Sequence, residues 1–193
     1  MDIEIYKLTP DRLEDYLWFF ENRAHADNDM WATCYCIDYC SVANADADLR
    51  AHEVRRGAAV DYVNLGAIQG YLAYVDGKVV GWCNTNRKAD CMECVGVRQE
   101  VFPEPQGDVP RDVKSIFCFT VDPDMRGKGI AEALLRRVIA DAPGEGYTVL
   151  EGYPNRGESD MYYDYVGPMK LYEKLGFAVT GQTKRGYIVQ KKL

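Results

Sequence analysis

The most regular pattern of apolar positions lies between residues 115 and 139. Ser115-Ile-Phe-Cys-Phe-Thr-Val121 is a short apolar run of β-branched and aromatic side chains, which predicts a strand buried on both faces. Pro123 ends it, having no N–H to give a ladder. Beyond Gly127 and Gly129, the residues Ile130, Leu134 and Val138, with Ala131, Leu135 and Ile139, recur at helical spacing. Glu132 and Arg136 lie four apart on the outer face of that helix. The order is buried strand, glycine turn, helix.

Elsewhere the pattern is shorter. Ile3 and Ile5 alternate with Glu4 and Tyr6 as a first strand. Thr9-Pro10-Asp11 signals a helix start, with Thr9 as the capping hydroxyl and Leu13, Leu17 and Phe20 facing inward. Asn22 to Ser41 has no single period. A helix is expected from Asp46 to about Leu65, with Leu49, Val54, Val60 and Val63 inward. Tyr71–Val75 and Lys78–Asn84 flank Asp76-Gly77, a preferred pair for a two-residue hairpin turn. Arg87 to Arg111 contains Pro103, Pro105 and Pro110 and reads as a long loop. Pro143–Gly146 is a loop and Tyr147–Glu151 a strand. Gly167-Pro168 opens a last helix that Gly176 ends, and Phe177–Thr180 and Tyr187–Lys191 close the chain. This order predicts one domain over residues 1–193, a mixed α/β sheet with helices on both faces.

Composition narrows the partners. The 193 residues carry 23 basic and 30 acidic side chains, a net charge of −7, which disfavours nucleic acid. An acidic surface suits a cationic, amine-bearing substrate, although a solvated acidic surface accounts for it equally. Asp2 and Glu4 stand near the start and no long apolar run follows, so no signal peptide, spanning helix or membrane partner is expected. The expected location is cytoplasmic, with reduced thiols. A homodimer is left open.

Glycines ahead of a helix start let a phosphate approach unpaired N–H groups at the positive end of the helix dipole. Two familiar phosphate motifs do not fit. The P-loop needs Lys-Ser/Thr after its last glycine, and here Lys128 precedes Gly129; the Rossmann fingerprint needs a third glycine in the first turn of the chain. Arg126-Gly-Lys-Gly129-Ile-Ala131 instead resembles the R/Q-x-x-G-x-G/A signature of the GNAT superfamily of acyl-CoA-dependent N-acyltransferases. Leu171-Tyr-Glu-Lys-Leu-Gly-Phe177 is similar to the L-Y-x-K-x-G-F near the end of that domain.

The resemblance implies a mostly antiparallel central sheet and transfer of an acetyl group from acetyl-CoA to a primary amine of a small molecule or peptide, by direct attack in a ternary complex. By resemblance the backbone of Phe119, Thr120 and Val121 would bind pantetheine. The N–H groups of Arg126, Gly127, Lys128, Gly129, Ile130 and Ala131 would hold the pyrophosphate, with the Arg126 and Lys128 side chains adding charge. Tyr172 aligns with the tyrosine that many members use to protonate the departing thiolate, and Glu151 is the best-placed carboxylate for a base. The N-x-x-A that often precedes L-Y is replaced here by Tyr165 and Pro168, which removes a conventional asparagine contact to the cofactor. Asn155–Tyr165, with Glu158, Asp160, Asp164 and three tyrosines, reads either as an amine-binding cleft lining or as a solvated loop.

Two rival classes stay open. An acyl-CoA-binding sensor would keep the turn without needing Tyr172. A thiol- or metal-centred protein would use Cys34, Cys36 and Cys40 with Cys91 and Cys94, since four sulfurs suit zinc; partly buried cysteines are the simpler reading. His25 and His52 stand alone in sequence and are assigned ordinary polar or capping roles.

Overall fold

The computed structural model describes residues 1–32, 34–42, 49–94, 108–157 and 165–193. The elements are β1 (Glu4–Lys7), α1 (Leu13–Asn22), α2 (His52–Asn64), β2 (Gly70–Val75), β3 (Lys78–Arg87), β4 (Val113–Val121), α3 (Ile130–Asp141), β5 (Val149–Gly152), α4 (Met169–Lys174), β6 (Ala178–Gln182) and β7 (Tyr187–Lys192). Among the described residues, seven strands form one sheet in the order β1-β2-β3-β4-β5-β7-β6. Only β4 and β5 run parallel; every other pair is antiparallel.

The predicted hairpin is present: Asp76 and Gly77 have φ of 49° and 72°, both positive as a type I′ turn requires. In β3, Val79 and Trp82 face α1 and α2 while Val80 and Cys83 face α3, the alternation being shifted by a bulge at Val80. Helices therefore cover both faces. Some local expectations change. Thr9 makes no side-chain cap; a 3-10 turn, Pro10–Arg12, leads into α1 instead. In α2, Ala59 and Val63 are buried with α1 residues in one cluster, but Val54, in the first turn of the helix, is exposed. The expected helix start at 46–48, most of the proline-rich loop (95–107) and residues 158–164 lie outside the described residues.

Two irregularities place the site. Asn84 pairs with Cys118 and Thr85 with Ile116, so Phe117 is an extra, unpaired residue in β4. Such a bulge bends its strand. On the other side, β4 pairs with β5 only from Val113↔Val149 to Ile116↔Gly152. Past Gly152 the chain is drawn towards the β6–β7 turn, where Tyr187 N–H donates to Pro154 O at 2.9 Å and Asn155 bridges Gly186. The two strands therefore part, and Phe117–Val121 is left without β5 beside it. The lower end of β4 is pinned by Lys114, 1% exposed, whose ammonium lies 2.5 Å from Glu145 and 4.9 Å from the Tyr147 ring centroid.

Candidate active site

The glycine turn caps the parting of β4 and β5. Asp122, at the end of β4, accepts from Asp124 N–H at 3.0 Å and takes both arms of Arg23 at 2.7 Å. A 3-10 turn, Pro123–Met125, follows. Gly127 and Gly129 then adopt φ of 73° and 85°, a left-handed backbone that side chains disfavour. A Cβ added to either would meet nothing within 4 Å, so the space above them is open to a ligand. Gly129 is the N-cap of α3. The first helical bond there runs from Ala133 N–H to Gly129 O at 2.9 Å, and helix geometry leaves the N–H groups before Ala133 without an intrahelical acceptor.

A groove of about 420 Å³ runs from this turn to the parted strands, lined among others by Phe119, Val121, Gly127, Gly129, Tyr165 and Leu171. A larger hollow of about 660 Å³ lies across Met125, beside the β2–β3 turn. It gathers less chemistry, since its Asp122 and Asp124 carboxylates are both held by Arg23.

The side chains expected at the site are distributed unevenly around this groove. Arg126 lines it, but its guanidinium is forked onto Asp27 at 2.5 and 3.1 Å. Lys128 is exposed, with its ammonium 3.7 Å from Met125 Sδ. Thr120 is buried, and Val121 is half-buried. Phe119 offers less backbone than expected, because its N–H already donates to Tyr165 O at 2.5 Å.

Tyr172 is fully buried and wedged where the strands separate. A Cβ on Gly152 would lie 2.4 Å from its ring, and one on Gly167 would lie 3.1 Å away. Its hydroxyl donates to Val166 O at 2.8 Å. Glu151 is 1% exposed and accepts three hydrogen bonds: Lys88 at 2.6 Å and Tyr153 at 2.7 Å on Oε1, Gln190 at 2.7 Å on Oε2. Tyr153 in turn meets Ser115 Oγ at 2.6 Å.

A second group arrives from the segment after α1. His25 Nδ1 is 3.2 Å from Tyr165 Oη, and their rings meet edge to face at 5.2 Å. His25 is 5% exposed, and its Nε2 has no hydrogen-bond partner among the described residues. Burial pushes its pKa down to about 4, with Asp27 opposing and Arg126 reinforcing that shift. Burial also pushes the Tyr165 phenol up to about 12. Sequence reasoning missed this pair because its members stand 140 positions apart; the only signal was a tyrosine where the resembled motif has asparagine.

The cysteines do not converge on a metal: among the described residues no three His, Cys, Asp or Glu side chains are placed to hold one. All seven thiols are free and six are buried. Burial raises Cys34 to about 12 and lifts Cys36, Cys83 and Cys91 well above the ordinary thiol range, the opposite of an activated nucleophile.

The family model described as Acetyltransferase (GNAT) family matches residues 38–177. No curated protein sequence matches the chain. Among solved structures it is similar to the PaiA N-acetyltransferase of Thermoplasma acidophilum in complex with coenzyme A, at 15% identity over 100% of both chains with a TM-score of 0.58. A GNAT acetyltransferase from Streptococcus pneumoniae is 17% identical over 100% of both chains, TM-score 0.56. The aminoglycoside acetyltransferase AAC(6′)-Ib with coenzyme A is 14% identical over 99% of this chain and 95% of its own, TM-score 0.57. Among the described residues no helix is long and apolar enough to cross a membrane.

Proposed function

The chain belongs to the GNAT acetyltransferase family, and on that premise we propose that it transfers an acetyl group from acetyl-CoA to a primary amine by direct attack in a ternary complex. The observation that carries the reading is the open left-handed turn at Gly127 and Gly129, set on the N-terminus of α3 at one end of the groove. Two of the similar structures hold coenzyme A. In this reading the pyrophosphate takes the N–H groups of Arg126–Ala131, with a negative charge at the positive end of the helix dipole. Pantetheine lies along Phe119–Val121. Tyr165 O keeps Phe119 N–H in this reading, so pantetheine bonds the backbone beyond it, towards Val121.

The attacking amine must first lose a proton. Glu151 accepts three bonds, and a carboxylate has about four acceptor sites, so one remains through which a water can pass that proton on. As the family's acid, Tyr172 would have to release Val166 O before reaching a thiolate. We propose also that residues 1–193 work as one unit in the cytoplasm, where the free thiols stay reduced.

The test is a panel of amines — metabolite, polyamine, aminoglycoside and peptide — offered with acetyl-CoA while released thiol is followed. Saturable, amine-dependent release is expected with at least one class. Acetyl-CoA that raises the melting temperature without any such release would make the protein a binding module instead.

A further inference from the structure

Among the described residues two phenols border the site, and of these two Tyr165 lines the groove. Tyr172 is fully buried with its hydroxyl spent on Val166 O. Tyr165 lines the groove, its carbonyl rests on Phe119 N–H in the unpaired part of β4, and its ring packs against the cluster on the α1 and α2 face. It therefore stands where the donor's groove meets the opposite layer, the place where thioester and amine must meet.

The surroundings of Tyr165 Oη decide which way its proton points. His25 Nδ1 lies 3.2 Å away, and His25 Nε2 is buried without a partner among the described residues. Buried N–H groups without an acceptor are rarer than lone pairs without a donor. That assigns the hydrogen to Nδ1 and makes His25 a donor to the phenol oxygen. The nearby Asn28 side chain favours the phenol's anion. With the His25 donor directed at the oxygen, the phenol's own hydrogen is free to point into the groove.

We propose that Tyr165, and not Tyr172, is the acid that protonates the departing thiolate of CoA, and that His25 is the positioning residue that orients its phenol and hydrogen-bonds the phenolate. This rests on the acetyl-transfer reading above. The amine nitrogen forms its bond to the thioester carbon, and the carbonyl pair moves to oxygen. When that pair returns, the C–S bond breaks with its electrons going to sulfur. The Tyr165 hydrogen passes to sulfur, giving the free thiol. The phenolate recovers a proton from the nitrogen that has become an amide, through solvent, so the enzyme ends as it began. Burial keeps the Tyr165 phenol protonated at neutral pH and keeps His25 neutral, so the donor at Nδ1 adds no competing charge.

The experiment uses the full chain, acetyl-CoA and an amine identified by thiol release, with Tyr165→Phe, Tyr172→Phe, His25→Leu and His25→Asn. Tyr165→Phe should lower kcat on the order of a hundredfold, the usual contribution of a general acid. KM for acetyl-CoA and the melting shift it produces should stay within about twofold of wild type. Tyr172→Phe should lower kcat by less than about tenfold. His25→Leu should lower kcat about tenfold, and His25→Asn, whose amide can donate from nearly the Nδ1 position, should restore most of it; a merely structural histidine would give no such recovery. Near-wild-type kcat in Tyr165→Phe, or a hundredfold loss confined to Tyr172→Phe, overturns the proposal. Equal losses in His25→Leu and His25→Asn, with both variants folded, overturn the part assigned to His25. Failure of the acetyl-transfer reading has a different signature, since wild type would then bind acetyl-CoA and release no thiol with any amine.

Discussion

The two faces of the sheet are built by different means. Against α3 and α4 the core is mostly aliphatic: Ile116, Leu150, Ile130, Leu134, Leu135 and Val138 lead it. Against α1 and α2 it is aromatic and thiol-rich, with Tyr16, Phe19, Phe20, Tyr35 and Trp82 beside Cys36, Cys40 and Cys118. There the described chain between the helices is irregular. Tyr35 and Cys36 both have positive φ, 46° and 50°, at a cost of about 1–3 kcal/mol each. Hydrogen bonds hold them: Tyr16 Oη donates to Tyr35 O, and Asn84 donates to Cys36 O at 3.2 Å. The regular face carries the glycine turn at the start of α3, and the irregular face carries His25 and its contact to Tyr165. A co-substrate shared by many enzymes can be met by generic backbone, whereas discrimination needs particular side chains.

The comparison predicts its own largest effect at the turn. Gly129→Glu sets a β-carbon and a carboxylate where φ is 85° and where a phosphate would lie. Loss of acetyl-CoA affinity by at least about a hundredfold is expected from like charge in that space, and the acetyl-CoA melting shift should vanish. An undiminished shift would place the phosphates elsewhere. Next in size is Leu134→Ala on the regular face. Leu134 is fully buried, and such a truncation costs about 2–5 kcal/mol, read by denaturant unfolding. It should change stability and leave acetyl-CoA affinity nearly alone.

The difference between the faces also explains what could be read in advance. The β4–turn–α3 passage was legible because strand, glycines and helix are all local: each signal sits within a few residues of the next. The Asp76-Gly77 hairpin was legible for the same reason. The α1 and α2 face was not, because its structure depends on distant pairings such as Tyr16 with Tyr35, Arg55 with Cys34 O at 2.8 Å, and His25 with Tyr165. The position of Glu151 in β5 could be read, but not that three donors occupy it. Nor could sequence show that Tyr172 spends its hydroxyl on the backbone only six residues earlier.

A pH experiment separates the faces by a smaller amount. His25 is neutral and buried, with its pKa at about 4 against an ordinary value of 6.5. Tyr165 and the Asp27–Arg126 pair face it, along with the Phe20 ring. The unfolded chain takes up a proton here before the folded one does, so stability falls as pH drops from about 6.5 towards 4. The full difference is about 3 kcal/mol. His25→Asn should flatten that window. Leu134→Ala should lower the whole stability curve without reshaping it, and an unchanged slope in His25→Asn would mean that His25 is solvated in solution.

The smallest effect concerns an ion pair that joins the two regions. Arg126 belongs to the phosphate turn, and Asp27 to the segment after α1. The Arg126 guanidinium beside it holds the Asp27 carboxyl below the ordinary carboxylate range, so the pair is intact at neutral pH. Both side chains keep some contact with solvent, at 18% and 27% exposure, and pairs of this kind contribute only about 0–1 kcal/mol. An incoming pyrophosphate would have to share the guanidinium with Asp27, or take it over. Asp27→Asn removes the competing charge and leaves the fork available to phosphate oxygens. Acetyl-CoA affinity, measured by calorimetry at low ionic strength, should rise by up to about fivefold, while stability without ligand falls by no more than about 1 kcal/mol. The gain should shrink as salt is added, because it comes from an electrostatic contact near the surface. If affinity instead falls in Asp27→Asn, the pair is a strut that shapes the turn for its ligand. The backbone N–H groups and Lys128 would then hold the phosphates without Arg126.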